Sequence, residues 1–154
     1  MELTKIPNPI LKKTCAPLKA AQLKSGAYAQ LIGKLKKDML IHNGIGLAAN
    51  QVGKDLALFV IDERLAAEYK VPFAYANPEI TEYGKEADAM EEGCLSIPGM
   101  WAPVRRAKKI MFKALDEHGV RVKFRARGML ARVLQHETDH LNGLTIKDRA
   151  VKQK

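Results

Sequence analysis

The stretch that most constrains this chain reads GMLARVLQHETDHLNG, residues 128–143. Leu130, Val133, Leu134 and Leu141 recur there at helical spacing, and Asn142-Gly143 supplies a stop. The pattern predicts a helix over about 128–142 with an apolar stripe. Such a stripe must be buried, so the rest of the chain has to wrap it. His136 and His140 stand four residues apart, on one face of that helix and close to the stripe, and Glu137 follows the first of them.

The remaining elements set the fold class. Pro7, Pro9 and Pro17 break residues 1–20 into extended or turn structure. Tyr28, Leu31, Ile32, Leu35 and Met39 mark an N-terminal helix over 27–42, with Lys34, Lys36 and Lys37 turned outward. Ser25 is its candidate cap and Asn43-Gly44 its stop. LALFVI at 56–61 and VPFAYANPEI at 71–80 read as strands, the second ending at Pro78. Residues 110–115 and 120–125 read as a hairpin around Asp116-Glu117-His118-Gly119, because Val120, Val122 and Phe124 alternate with Arg121, Lys123 and Arg125. GIGLAANQVG at 44–53 and EEGCLSIPG at 91–99 read as loops. Strands lying between helices, without regular alternation, point to an α+β fold. With no repeat, linker or low-complexity tract, one domain is expected over residues 1–154.

Composition narrows the setting. A chain of 154 residues buries roughly 70% of its unfolded surface, so a metal is not needed merely to fold. The start, MELTKIPNPI, lacks the basic and apolar segments of a signal peptide, and no apolar run approaches membrane-spanning length. A cytoplasmic protein with no membrane partner is expected. In that reducing setting the two cysteines, Cys15 and Cys94, are not expected to pair. The formal charge of +9 is spread along the chain, yet residues 101–132 hold ten Lys or Arg against two acids. Such a stretch suits either a solvated surface or RNA.

The histidine pair carries the chemistry. In an H-E-x-x-H pattern two imidazoles bind a metal and the glutamate serves as base. A catalytic divalent site takes three protein ligands and leaves a position for water. Downstream of His140 the only carboxylate is Asp148, about two helical turns on, so the third ligand is expected upstream. Cys94 is the strongest soft candidate, since a thiolate with two imidazoles suits Zn²⁺ or Fe²⁺. The plain alternative is that Cys94 is a small buried residue, as most free cysteines are. Cys15 keeps that plain reading, and His42 and His118 read as a helix-end and a turn residue.

Three motifs together resemble the peptide deformylase family. They are Gly44-Ile45-Gly46-Leu47-Ala48-Ala49-Asn50-Gln51, Glu92-Gly93-Cys94-Leu95-Ser96, and Gln135-His136-Glu137-Thr138-Asp139-His140. The opening KIPNPILKK and the NPEI at 77–80 are similar as well, so the resemblance spans nearly the whole chain. It implies small antiparallel or mixed sheets around a C-terminal metal-binding helix. It also implies a metal-dependent hydrolase that removes the formyl group from N-formylmethionyl peptides and releases formate. The implied ligands are Cys94, His136 and His140, around one divalent ion, natively Fe²⁺, with Zn²⁺, Ni²⁺ or Co²⁺ as substitutes. Glu137 is implied as the proton-transfer group, with Gln51 and the Leu95 backbone N–H as donors to the formyl oxygen. Gly44, Ile45, Gly46 and Val133 are implied as substrate-binding residues.

Two departures stand out. Met100-Trp101 lies where some relatives carry an arginine that helps hold the substrate backbone, and Trp101 reads either as an apolar wall or as a half-buried core residue. In some relatives a tail beyond the metal helix docks the ribosome. Here the sequence closes on VKQK soon after Gly143, so any ribosome contact is expected through the basic 101–132 stretch. Asp139 is expected either to orient a ligand or to pair with a base such as Arg105. Two other functions remain open at this level: a small HExxH zinc peptidase and a basic RNA-binding protein without catalysis.

Overall fold

A computed structural model of the chain describes residues 2–151; Met1 and the last three residues of the VKQK ending lie outside it. After a 3-10 turn at Pro9–Lys12 come α1 (Ala20–Lys24), α2 (Ala29–Ile41) and β1 (Gly46–Ala48). A second 3-10 turn, Ala49–Val52, leads to β2 (Leu58–Ile61), α3 (Glu63–Tyr69) and β3 (Ala74–Tyr83). Then follow β4 (Ala87–Cys94), β5 (Ile97–Ala107), β6 (Lys109–Leu115), β7 (Arg121–Arg127), α4 (Gly128–Leu141) and α5 (Ile146–Arg149). Every strand pair is antiparallel, in a five-stranded sheet of order β1-β2-β3-β6-β7 and a two-stranded sheet of β4 and β5. The α+β expectation holds.

The stripe on α4 does what its spacing requires. Leu130, Val133, Leu134 and Leu141 are all buried, and the helix meets strands of both sheets. Under the larger sheet the rings of Phe59, Tyr75, Phe112 and Phe124 pack with centroids 5.2–6.4 Å apart. Pairs at such spacings add to the plain gain from burying apolar area. The hairpin read from alternation is β6–β7, closed by Asp116, whose side chain accepts from the backbone N–H groups of His118 and Val120.

Other expectations are corrected. Ser25 does not cap α2. It closes the short α1, donating its N–H to the Ala21 carbonyl, and Gly26 at φ +81° turns the chain before α2 begins. Nor does β3 end at Pro78. Asn77 takes φ +51° and the register shifts between Ala76 and Glu79, so the bulge absorbs the proline's missing N–H. The EEGCLSIPG segment is no loop: Cys94 ends β4, Ile97 begins β5, and Leu95-Ser96 form the tip between them.

Candidate active site

Four stretches of chain converge on one cleft of about 990 Å³. Helix α4 brings His136 and Glu137, the β4–β5 tip brings Cys94 and Leu95, the β1 segment brings Gly44, Ile45 and Gly46, and the following 3-10 turn brings Gln51. Val133 lines the same cleft one turn before Glu137. His140 lies deeper, fully buried, behind Cys94.

Cys94, His136 and His140 present one sulfur and two nitrogen atoms, all within 4.8 Å of one another. Between Cys94 Sγ and His140 Nε2 the distance is 3.3 Å. A thiolate and an imidazole bound to one tetrahedral ion, at about 2.3 and about 2.0 Å, stand roughly 3.5 Å apart, so the donor set fits a divalent metal. Glu137 is buried beside it, and its Oε1 has no hydrogen-bond partner among the described residues. Burial pushes the Glu137 carboxyl up to about 7; the charges of Glu92 and Asp139 add to this, while His136 and Arg106 oppose it. That value suits a group that takes and returns a proton near neutral pH.

The cleft is held from behind by buried ion pairs. Glu92 Oε1 accepts from His136 Nδ1 at 2.8 Å and from Arg106 Nη2 at 2.9 Å, and its Oε2 accepts from Arg106 Nε at 3.0 Å and from Arg132 Nη1 at 2.5 Å. Burial alone drives the Glu92 carboxyl upward, but the hydrogen bonds from His136 and Arg106 and their charges outweigh it, holding it down to about 2. The His136 ring is fixed in turn, so that Nε2 faces the cleft. Burial disfavours its proton, yet Cys94, Glu92 and Glu137 together raise it to about 10, a proton that a metal has to displace. His140 is pushed down by burial and by the charges of His136 and Arg106.

Arg106 also donates to Asp139 Oδ2 at 2.6 Å, and Arg149 reaches the same carboxylate at 3.2 Å. Asp139 is therefore paired with Arg106, not with Arg105. Alternate residues of a strand face opposite sides, so Arg106 turns into the protein and Arg105 turns out. The motif around Cys94 gives Glu92 no task, and Arg106 and Arg132 belong in sequence to the basic 101–132 stretch; in the fold both arginines are buried. The signal available was the acid two residues ahead of Cys94, on the strand that carries the ligand.

Gln51 is oriented from both ends. Its Oε1 accepts from the Ala48 N–H at 2.9 Å, which turns Nε2 towards Ser96 Oγ at 3.1 Å and Cys94 Sγ at 3.8 Å. The turn that carries it is tied to α4, where Asn50 Nδ2 donates to the His140 carbonyl at 2.6 Å. Gln135 docks β5 on the other side of the helix through the N–H and C=O of Ala107. Gly46 faces Glu137 so closely that a Cβ there would stand 2.8–2.9 Å from three atoms of the glutamate side chain. Its bareness makes room for the acid as well as for a ligand. Trp101 is no core residue: it is 71% exposed on the cleft wall, its indole lying over Gly93, its partner across β4–β5.

A sulfur and two imidazole nitrogens able to hold a metal, with a raised carboxyl at their side on the floor of a cleft, would equip a hydrolase. Comparison with known proteins gives the kind. The chain belongs to the polypeptide deformylase family, whose sequence profile matches residues 1–154. It is 42% identical to the peptide deformylase of Dictyoglomus turgidum and 44% identical to that of Dictyoglomus thermophilum, each over 99% of this chain and 94% of the relative. The fold matches the crystal structure of peptide deformylase from Thermotoga maritima with a TM-score of 0.88 at 35% identity, covering 98% of this chain and 97% of that one. It also matches a Met-Ala-Ser-bound class I type b peptide deformylase from Acinetobacter baumannii, with a TM-score of 0.86 at 34% identity and 97% of each chain covered. Enzymes of this family are hydrolases that remove the formyl group from N-formylmethionyl peptides, and this chain is one of them. Neither the zinc peptidase nor the non-catalytic RNA binder is favoured by these likenesses. Among the described residues no helix is long and apolar enough to cross a membrane.

Proposed function

We propose that Cys94, His136 and His140 hold one divalent ion, Fe²⁺ natively, with Zn²⁺, Ni²⁺ or Co²⁺ able to substitute. Supporting this reading above all is the convergence of the three donor atoms within 4.8 Å, beside a glutamate with an unpartnered oxygen. An ion held there supplies Lewis acidity and lowers the pKa of a neighbouring water towards about 7.

The chain's own residues do the rest. Glu137 takes the proton of the attacking water and passes it to the leaving amine of the methionine. Gln51 Nε2 and the Leu95 N–H donate to the formyl oxygen as negative charge builds on it; loss of one such donor typically costs about 2.7–4 kcal/mol in the transition state. Gly44, Ile45 and Gly46 hold the peptide in extended form, a reading favoured by the place of β1 at the end of its sheet. Ile45 and Val133 flank the methionine side chain. The enzyme works as a single catalytic domain over 1–154, in the cytoplasm, on nascent chains, with the ribosome as a partner met through basic surface.

The test is formate release from formyl-Met-Ala-Ser by anaerobically prepared protein, beside Glu137→Ala and Cys94→Ala. Release that vanishes with Glu137→Ala while metal stays bound, together with loss of metal in Cys94→Ala, is the expected result. Full turnover in either variant overturns the assignment.

A further inference from the structure

The outward face of β6–β7 carries more positive charge than the fold requires. Arg121, Lys123, Arg125 and Arg127 are two residues apart on β7, so they leave the sheet on one side, and all four are exposed. Lys109 and Lys113 of β6 leave it on the same side. Register then sets like against like: Lys109 faces Arg127, and Lys113 faces Lys123. Like charges directly opposite each other are destabilising. The inner face, with Ile110, Phe112 and Ala126 buried, explains the apolar half of the hairpin and none of this ladder.

Few acids answer these cations. Glu79 of β3 pairs with Lys113 at 3.2 Å, and Glu82 lies beside Met111. At the turn, Asp116 is engaged by backbone N–H groups, and Glu117 lies 3.5 Å from His118. Among the described residues no ion pair or side-chain hydrogen bond engages Arg121, Lys123, Arg125 or Arg127. Charge on an end strand guards against unwanted strand pairing. That accounts for β7 but not for β6, which is paired on both sides, by β3 and β7.

We infer that this ladder docks the phosphodiester backbone of RNA. The inference rests on the ribosomal partner proposed above and places it on one surface. The four β7 cations stand about 6.7 Å apart, and Lys109 and Lys113, about 13 Å apart on β6, lie about 4.8 Å to one side of them, so together they complement a repeating line of phosphates. Three of the four β7 cations are arginines, whose planar forks grip phosphate oxygens in pairs. A lipid surface fits less well. Membrane-lying elements set exposed apolar side chains among their cations, whereas the apolar residues between these cations, Met111 and Leu115, are half-buried, and the exposed Val120 sits at the turn. The ladder ends where Gly128 starts α4, and Met129 already lines the cleft. The β7 row of cations therefore leads up to the edge of the cleft.

The test compares two variants of equal charge change. Lys123→Glu/Arg125→Glu alters the ladder; Lys34→Glu/Lys37→Glu alters exposed lysines of α2. Binding of a labelled RNA hairpin is followed by anisotropy between about 50 and 200 mM salt. The expected result is at least about 10-fold weaker binding and a shallower salt slope for the ladder variant alone, with formate release unchanged in both. The milder Lys123→Gln/Arg125→Gln shows the same direction. Equal weakening in both variants, or none in the ladder variant, overturns the ladder while the RNA partner stands. Failure of the unaltered protein to bind RNA, or binding only to anionic vesicles, overturns both.

Discussion

Glu92 and His136 meet at 2.8 Å, the imidazole Nδ1–H donating to a carboxylate that two buried guanidinium groups also hold. The strand that ends in Cys94 thereby aims the His136 imidazole on α4. Glu92→Ala leaves Arg106 and Arg132 buried and uncompensated, and loss of one partner from such a cluster costs about 3–5 kcal/mol. Glu92→Gln keeps the shape and loses the charge, so metal affinity falls about 10–100-fold with less loss of stability. Thermal unfolding and chelator competition read the two effects separately.

Gly46 is expected to be intolerant for a reason of chemistry. Gly46→Ala places a methyl where the Glu137 side chain stands. Misplacing a reacting group by about 1 Å can cost on the order of 100-fold in rate. The expected outcome is a kcat lowered about 10–100-fold, with metal content retained.

Trp101 is the only tryptophan in the chain, so its fluorescence reports the cleft alone. Titration with Met-Ala-Ser shifts its emission if the indole walls the bound peptide. Trp101→Ala then raises KM several-fold more than it lowers kcat, because the ring touches the peptide away from the reacting carbonyl.

Cys15 behaves as a buried thiol. Burial pushes it up to about 11, with the charge of Asp55 adding and Lys13 opposing. An acid whose pKa is raised on folding stabilises the fold below its unfolded value of 9.0 and loses that contribution as pH climbs towards 11. Cys15→Ala removes this alkaline loss, which unfolding curves between those pH values show. In metal-stripped protein at pH 8, alkylation is expected at Cys94 and not at Cys15.

Tyr75 is fully buried within the ring cluster, and its hydroxyl has no hydrogen-bond partner among the described residues. An unpaired buried polar group costs about 1–3 kcal/mol. Tyr75→Phe keeps the ring contacts and is expected to raise Tm by about 2–4 °C per kcal/mol recovered. A lower Tm would show that the hydroxyl is satisfied after all.

The sequence displayed β6–β7 plainly because the hairpin buries one face and alternates; α4, buried on nearly every side from Leu130 to Leu141, was still legible because its large apolar residues keep helical spacing. It hid β4–β5, whose residues 88–91 are all exposed and offer no alternation to read. The start of α3 was marked by Asp62, whose side chain accepts from the N–H groups of Arg64 and Leu65, but seven residues are too short for a periodic signal. The three donors that converge in the cleft and the neighbouring Glu137 were legible as motifs. The ring of arginines behind them was not, since a charge count cannot tell which side of a strand faces inward. Arg105 and Arg106 are neighbours in sequence and opposites in environment.

Strand β1 is three residues long and, among the described residues, pairs on one side only. A peptide laid along it, as proposed above, would find at most two or three backbone partners. Recognition of that kind inspects the opening of a polypeptide and ignores its continuation. Under that proposal the shortness of the strand would make the catalyst a generalist, able to serve any protein that begins in the same way.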